Sequence, residues 1–199
     1  MRLGRDNYFI RQFGAPSGGL GIFLAKIMNL SNKRMYKANS VRLEGRKRIL
    51  EIGYGNGKQL QIIRAMYPDM SLYGVDISEE MHGTASKALG DSALLSVGDA
   101  GDLPYQSSFF DAVITTDTCY FWNDPRKVLS EIRRVMKDDG IFINTFNTMY
   151  ADSVRKTRMD ECIFDLNTTV ASAGICGLEL VSHRETGKFE EQIILRKKI

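Results

Sequence analysis

Long apolar runs are missing from this 199-residue chain. One stretch, Leu20 to Leu30, is too short to span a membrane and is interrupted by Lys26, so it reads as an amphipathic or buried helix. No signal peptide is expected either, since Arg2, Arg5, Asp6 and Arg11 break up any early apolar core, and the expected location is the cytoplasm. Cysteine is sparse. The three present, Cys119, Cys162 and Cys176, are odd in number and lack C-x-x-C spacing, which argues against a disulfide framework and a structural zinc site; no metal is expected. Charge of one sign is not in excess, with a net +3 spread over Arg42 to Arg48, Arg133 and Arg134, Arg155 to Arg158, and Arg196 to Lys198. A nucleic-acid surface calls for a denser basic stripe with stacking aromatics, so that partner is disfavoured. Internal repeats and low-complexity tracts are absent, and the composition is that of an ordinary globular protein of one domain.

What is present is a pattern of alternating elements. Arg48 to Ile52 reads as a strand, Asn56 to Met66 as a helix, Ser71 to Asp76 as a strand, Ser78 to Leu89 as a helix, and Ala93 to Val97 and Ala112 to Thr115 as strands. A helix from Asp124 to Met136 follows, with Val128, Leu129, Ile132, Val135 and Met136 on one face, and then a strand, Ile141 to Ile143. Leu178 to Ser182 and Gln192 to Leu195 flank Glu185-Thr186-Gly187-Lys188 and predict a closing antiparallel hairpin. The predicted fold is α/β, Rossmann-like and doubly wound: a mostly parallel seven-stranded sheet with an antiparallel C-terminal hairpin and an N-terminal helical cap. Residues 1–46 form the expected cap, with Pro16-Ser17-Gly18-Gly19 ahead of two helical stretches, and residues 47–199 the Rossmann-like domain. The stretch Asn144 to Asn167 has weak periodicity and is expected to help build the substrate side.

Within this frame the segment Ile49-Leu50-Glu51-Ile52-Gly53-Tyr54-Gly55-Asn56-Gly57 stands between a strand and a helix. Glycine there permits a tight turn and close approach to a ligand. The G-x-G-x-G spacing alone is equally compatible with a plain strand-to-helix turn. Three acidic residues, however, fall near strand ends, where open parallel sheets bind ligands: Glu51, Asp76 and Asp99. Asp76 lies roughly 20 residues past the glycines, the distance at which a carboxylate can reach both ribose hydroxyls. Singly, each is also a plausible helix cap or loop carboxylate.

The motifs Leu50-Glu51-Ile52-Gly53-Tyr54-Gly55-Asn56-Gly57, Gly74-Val75-Asp76-Ile77-Ser78, Gly98-Asp99-Ala100-Gly101-Asp102-Leu103-Pro104-Tyr105, Phe109-Phe110-Asp111-Ala112-Val113 and Tyr120-Phe121-Trp122-Asn123-Asp124-Pro125, running on to Lys137, resemble the class I S-adenosylmethionine-dependent methyltransferases, in particular the small bacterial and archaeal Rossmann-like group. The likeness covers about residues 47 to 145 in order. It implies S-adenosylmethionine as cofactor: Gly53, Tyr54 and Gly55 under its methionine part, Glu51 on the ammonium side, Asp76 on the ribose, Ile77 on the adenine, and Asp99 with the Ala100 N–H at the adenine amino edge. Backbone carbonyls at Thr116 or Asp117 would receive the ammonium. Lys137-Asp138-Asp139-Gly140 departs from the family's frequent Lys-Pro-Gly-Gly, and the residues after Asn144 match little.

Asp117 and Tyr120, just past the fourth predicted strand, are the candidates for a general base, with loop capping and aromatic packing as their competing roles. Tyr120 and Trp122 are candidates for the substrate wall, against a purely structural role as anchors of the next helix. His82 and His183 read as noncatalytic. No Asn-Pro-Pro-Phe or Asn-Pro-Pro-Tyr follows that strand, which removes support for the amide or nucleobase N-methylation that such a motif accompanies. The leading expectation is a methyltransferase for a small-molecule acceptor. Transfer to RNA or protein, a non-catalytic cofactor-binding module and, more distantly, a nicotinamide dehydrogenase stay open; the last is disfavoured because Gly57 comes too early for G-x-G-x-x-G. The oligomeric state is not legible.

Overall fold

The computed structural model describes residues 32–149, 151 and 166–198. The expected cap before residue 32, the substrate-side segment 152–165 and Cys162 lie outside the described residues. A helix over residues 32–40, α1, leads into β1, Arg48–Ile52. Then come α2, Lys58–Met66; β2, Ser71–Asp76; α3, Glu79–Leu89; β3, Leu94–Val97; and β4, Phe110–Thr116. The chain goes on through α4, Pro125–Val135; β5, Met136–Asn147; α5, Leu166–Ile175; β6, Leu178–Gly187; and β7, Glu190–Lys197.

The seven strands form one sheet in the order β3-β2-β1-β4-β5-β7-β6. The first five are parallel, and β7 runs antiparallel to both β5 and β6. The doubly wound expectation therefore holds. Strand β1 sits centrally because Ile49, Leu50 and Ile52 are apolar toward both faces, as a strand covered on each side requires. Leu50, Val113 and Phe142 pack with Val128, Leu129 and Ile132 of α4 on one face. Ile49 and Ile114 pack with Leu60 and Ile63 of α2 and Ala85 and Leu89 of α3 on the other. Strand order reverses at β1 and β4, so the helices leave to opposite faces there and a crevice opens at the carboxyl ends.

Local chemistry sets the helix starts. Asp124 accepts the Lys127 amide at 3.0 Å, with Pro125 in the first turn, where its missing N–H costs nothing. Ser78 caps α3 from Met81 N–H, and Glu79 and Glu80 complement the helix dipole. Gly57, at φ +79°, precedes α2, which therefore begins two residues later than Asn56.

Strand β3 starts one residue later than expected, β4 to β7 run beyond their expected spans, and two of these differences have an evident cause. Strand β5 starts directly after α4, at Met136 rather than Ile141, because Met136 already pairs with Phe110 and the Lys137–Gly140 segment is absorbed as a bulge before Ile141 pairs with Ala112. The final turn falls at Lys188 and Phe189 rather than across Glu185 to Lys188, since Glu185 and Gly187 are held in register with Glu191 and Glu190. Among the described residues no helix is long and apolar enough to cross a membrane.

Candidate functional site

A cavity of about 310 Å³ opens at the carboxyl ends of β1, β2 and β3 and is closed on one side by the loop after β4 and the start of α4. Gly53, Asp76, Ile77, Asp99, Ala100 and Trp122, six of the residues singled out from the sequence, line it together. The positions come from strand ends. Asp76 is the last residue of β2, and Gly53 directly follows β1.

Asp76 ties the two turns to each other. Its Oδ2 accepts the Gly55 amide at 2.8 Å and its Oδ1 accepts the Ser78 amide at 2.9 Å. Each oxygen keeps a further lone pair for a ligand. Burial raises the Asp76 carboxyl above its ordinary range, while the amide bonds pull the other way. Glu51 lies deeper, with 2% of its surface exposed. Burial first, then the nearby Asp76 charge, push its carboxyl well above the usual value. Its Oε2 has no hydrogen-bond partner among the described residues. A buried, unpartnered carboxylate oxygen is costly in an empty protein and is relieved by a cationic or donor-bearing ligand.

The apolar floor is Ile77, whose side chain is 60% exposed although it follows a buried strand. Across from it, Asp99 Oδ1 accepts the Gly101 amide at 2.6 Å, and the Lys127 stem lies alongside. Gly53, at φ +72°, faces the Thr118 side chain so closely that an added Cβ would overlap it. Thr118 is held in turn by bonds to Thr115 and to the Ile52 carbonyl.

Other anticipated residues occupy different surroundings. Tyr54 is buried beneath the loop, with its hydroxyl 2.9 Å from His82 Nδ1 and its ring filling the space that Gly74 leaves open. Thr116 faces a buried polar cluster, accepting from Asn39 at 2.9 Å and donating to Gln59 at 2.7 Å. Asp117 and Tyr120 form a pair: the phenol lies 2.9 Å from Asp117 Oδ1, and the Asn147 amide donates to the same carboxylate at 2.8 Å. Burial raises the Asp117 carboxyl to about 6 in spite of these bonds. The Tyr120 ring is only 1% exposed and packs in the core, so the cavity wall at that point is Phe121, beside Trp122. Trp122 lines the cavity and also packs against Phe142. Tyr36 of α1 is near enough to Glu51 for that charge, after burial, to raise its phenol, which places α1 over the same end of the sheet.

Sequence reasoning missed Thr118, Phe121 and Lys127. Thr118 lay two residues past Thr116 and carried no motif signal. Lys127 could have been found from the Asp124-Pro125 helix start, which aims the first turn of α4 at the crevice. His183 pairs with Glu191 at 3.1 Å on the β6–β7 hairpin. Among the described residues no group of three or more His, Cys, Asp or Glu is placed to hold a metal ion.

Residues 50–144 match the family model of a methyltransferase domain. An uncharacterized methyltransferase of Bacillus subtilis, YdaC, is 33% identical over 112 residues, covering 55% of this chain and 62% of that protein. The demethylmenaquinone methyltransferase of Thermotoga maritima is 33% identical over 94 residues, 47% of this chain and 41% of that protein. The chain thus spans about half the length of these curated relatives. In fold it resembles a SAM-dependent methyltransferase from Aquifex aeolicus, with a TM-score of 0.66 at 18% identity over 86% of this chain and 96% of that one. The PH0226 protein of Pyrococcus horikoshii aligns with a TM-score of 0.73 at 18% identity over 86% and 91% of the two chains. At these identities the structural likeness speaks for the fold, and the domain match and the sequence relatives show that residues 50–144 of the chain are similar to a methyltransferase domain.

Proposed function

We propose that the protein transfers a methyl group from S-adenosylmethionine to a small-molecule acceptor. The observation that carries this reading is the convergence of Asp76, Ile77, Asp99 and the Gly53 turn on one cavity, with the buried, unpartnered Glu51 oxygen near enough to Asp76 to feel its charge. The residues fit the cofactor: carboxylates for ribose hydroxyls and an ammonium, and an exposed aliphatic side chain for an aromatic base; the turn need not supply an anion nest, since the cofactor has no pyrophosphate.

In this reading Asp76 holds the ribose hydroxyls, Gly53 and Gly55 form the floor under the methionine part, and Glu51 balances its ammonium together with backbone carbonyls at Thr116 or Asp117. Ile77 packs on the adenine, and Asp99 and the Ala100 N–H meet its polar edge. When bound, the cofactor supplies a sulfonium methyl open to in-line displacement. The protein's chief contribution is alignment, which in favourable intramolecular models is worth about 7–11 kcal/mol. Phe121 and Trp122 exclude water from the cavity. Where the acceptor arrives protonated, Asp117 takes the proton, with a carboxyl raised to about 6 and Tyr120 holding its orientation. The same burial that raises Asp117 makes it a stronger proton acceptor than an exposed carboxylate.

The test is incubation with methyl-labelled S-adenosylmethionine and a fractionated cell extract, with Asp76→Ala as control. Label entering low-mass products, absent in the variant, supports the proposal. Label confined to RNA or protein favours a macromolecular acceptor, and bound cofactor with no transfer favours a non-catalytic module.

A further inference from the structure

A second cavity, of about 440 Å³, lies between α1 and the β6–β7 turn and is lined by Lys33, Arg34, Lys37, Lys188, Phe189, Glu190 and Asn147. It is distinct in lining from the first cavity, with no residue in common. Three of its cations come from one helix. Lys33 and Lys37 are one turn apart on the same face, and Arg34 adjoins them. The fourth, Lys188, comes from a turn 151 residues beyond Lys37, the difference of the two positions, and stands over the Phe189 ring at 5.1 Å. The turn is fixed to the end of β5, where Thr148 N–H donates to the Phe189 carbonyl at 2.8 Å.

Like charges one helical turn apart repel one another. Among the described residues no ion pair engages any of these four cations, and Glu190 is the one carboxylate in the lining. Four positive charges against one negative charge, gathered from two elements around a concave space, form a binding site for an anion. The position connects it to the chemistry. Asn147 lines this cavity, and its backbone N–H is the group that donates to Asp117 Oδ1 at 2.8 Å and to the Tyr120 hydroxyl at 2.6 Å.

We propose that this cavity holds the anionic group, carboxylate or phosphate, of the methyl acceptor, an inference that rests on the transferase reading above. The acceptor is therefore an acidic small molecule, anchored by its charge on α1 and the β6–β7 turn while its nucleophilic end reaches toward Asp117. A polynucleotide is the less suitable occupant. The cations surround a pocket instead of extending as a stripe, and among the described residues Phe189 is the sole aromatic in the lining.

The experiment is calorimetric titration of inorganic pyrophosphate and, separately, succinate at low ionic strength into the protein saturated with S-adenosylhomocysteine. Lys37→Glu and Lys188→Glu are examined alongside the unaltered chain. The expected result is binding of at least one anion, weakened about tenfold or more by each variant, with S-adenosylhomocysteine affinity unchanged. Pyrophosphate alone would identify a phosphate ester, and succinate alone a carboxylic acid. Lys37→Ala and Lys188→Ala serve as milder surface changes that leave folding intact. Absence of binding of both anions to the unaltered protein, or equal affinity in the variants, would overturn the inference. Binding of RNA that tightens with length and exceeds that of both anions would replace it with a polynucleotide surface. Failure of S-adenosylhomocysteine to bind, with anion binding intact, would count against the transferase reading and would leave the anion site standing without its assignment to an acceptor.

Discussion

Gly53 and Thr118 share one space: a Cβ added to Gly53 would overlap the Thr118 methyl, far inside the 3.0 Å that real Cβ contacts respect, and Gly53 has φ +72° besides. Gly53→Ala is expected to destabilise the protein by about 1–3 kcal/mol and to weaken cofactor binding. Thr118→Ser removes the methyl and keeps the hydroxyl that bonds to the Ile52 carbonyl at 3.3 Å. Thermal denaturation of the double variant should therefore recover part of the loss.

Asp117 supplies a pH-dependent prediction. Its folded-state carboxyl is raised to about 6 from an ordinary 3.8, so between these values the folded chain binds more protons than the unfolded one. This group's contribution to stability is fully present below about pH 4 and is lost as pH rises through about 6. Asp117→Asn should flatten that portion of the stability curve in denaturant titrations. If Asp117 accepts the acceptor's proton, kcat/KM rises through pH about 6 and the rising limb disappears in the same variant.

Glu51 behaves in the same sense. Its carboxyl is raised well above the ordinary range by burial and then by Asp76, so ionisation at rising pH destabilises the empty protein. Glu51→Gln removes the titrating group at nearly constant volume. Its melting temperature without cofactor should gain on that of the unaltered protein as pH rises, while affinity for S-adenosylmethionine falls.

Asn39 joins α1 to three strands. Its Nδ2 donates to Thr116 at 2.9 Å, and its Oδ1 accepts from Thr145 at 2.6 Å and Gln192 at 2.7 Å, all in the buried interior. Asn39→Leu removes the partner of Thr145 and Gln192 and leaves Thr116 with Gln59 alone, and a loss of about 2–4 kcal/mol is expected in urea denaturation. A change below about 0.5 kcal/mol would mean that the cluster does not hold α1 to the sheet.

The strand-end residues that line the first cavity were legible because they belong to backbone positions. Glycines at the end of β1 and an acidic residue at the end of β2 have fixed places in an alternating strand–helix pattern, so Gly53 and Asp76 could be placed before any side chain was seen. Thr118 and Lys127 could not, since their roles depend on how the loop after β4 folds back and how α4 is aimed. The two roles open to Tyr120 in the sequence could not be separated for a related reason. An aromatic beside Phe121 and Trp122 gives no sign of which ring turns inward, and the bond to Asp117 decides it. At the hairpin, Gly187 suggested the turn, but pairing with Glu190 draws it into the strand. The basic cavity was hidden because Lys188 and Lys33 are far apart in sequence and meet only through β7 and α1.

The most direct test of the central claim is calorimetric titration of the purified protein with S-adenosylmethionine and S-adenosylhomocysteine, with nicotinamide dinucleotide as control and Asp76→Ala as the variant. Micromolar binding of both sulfur compounds is predicted, weakened about 100-fold in the variant through loss of charge-assisted hydrogen bonds of about 1.5–3 kcal/mol each. No binding of either compound, undiminished binding by Asp76→Ala, or preference for the dinucleotide would contradict the account.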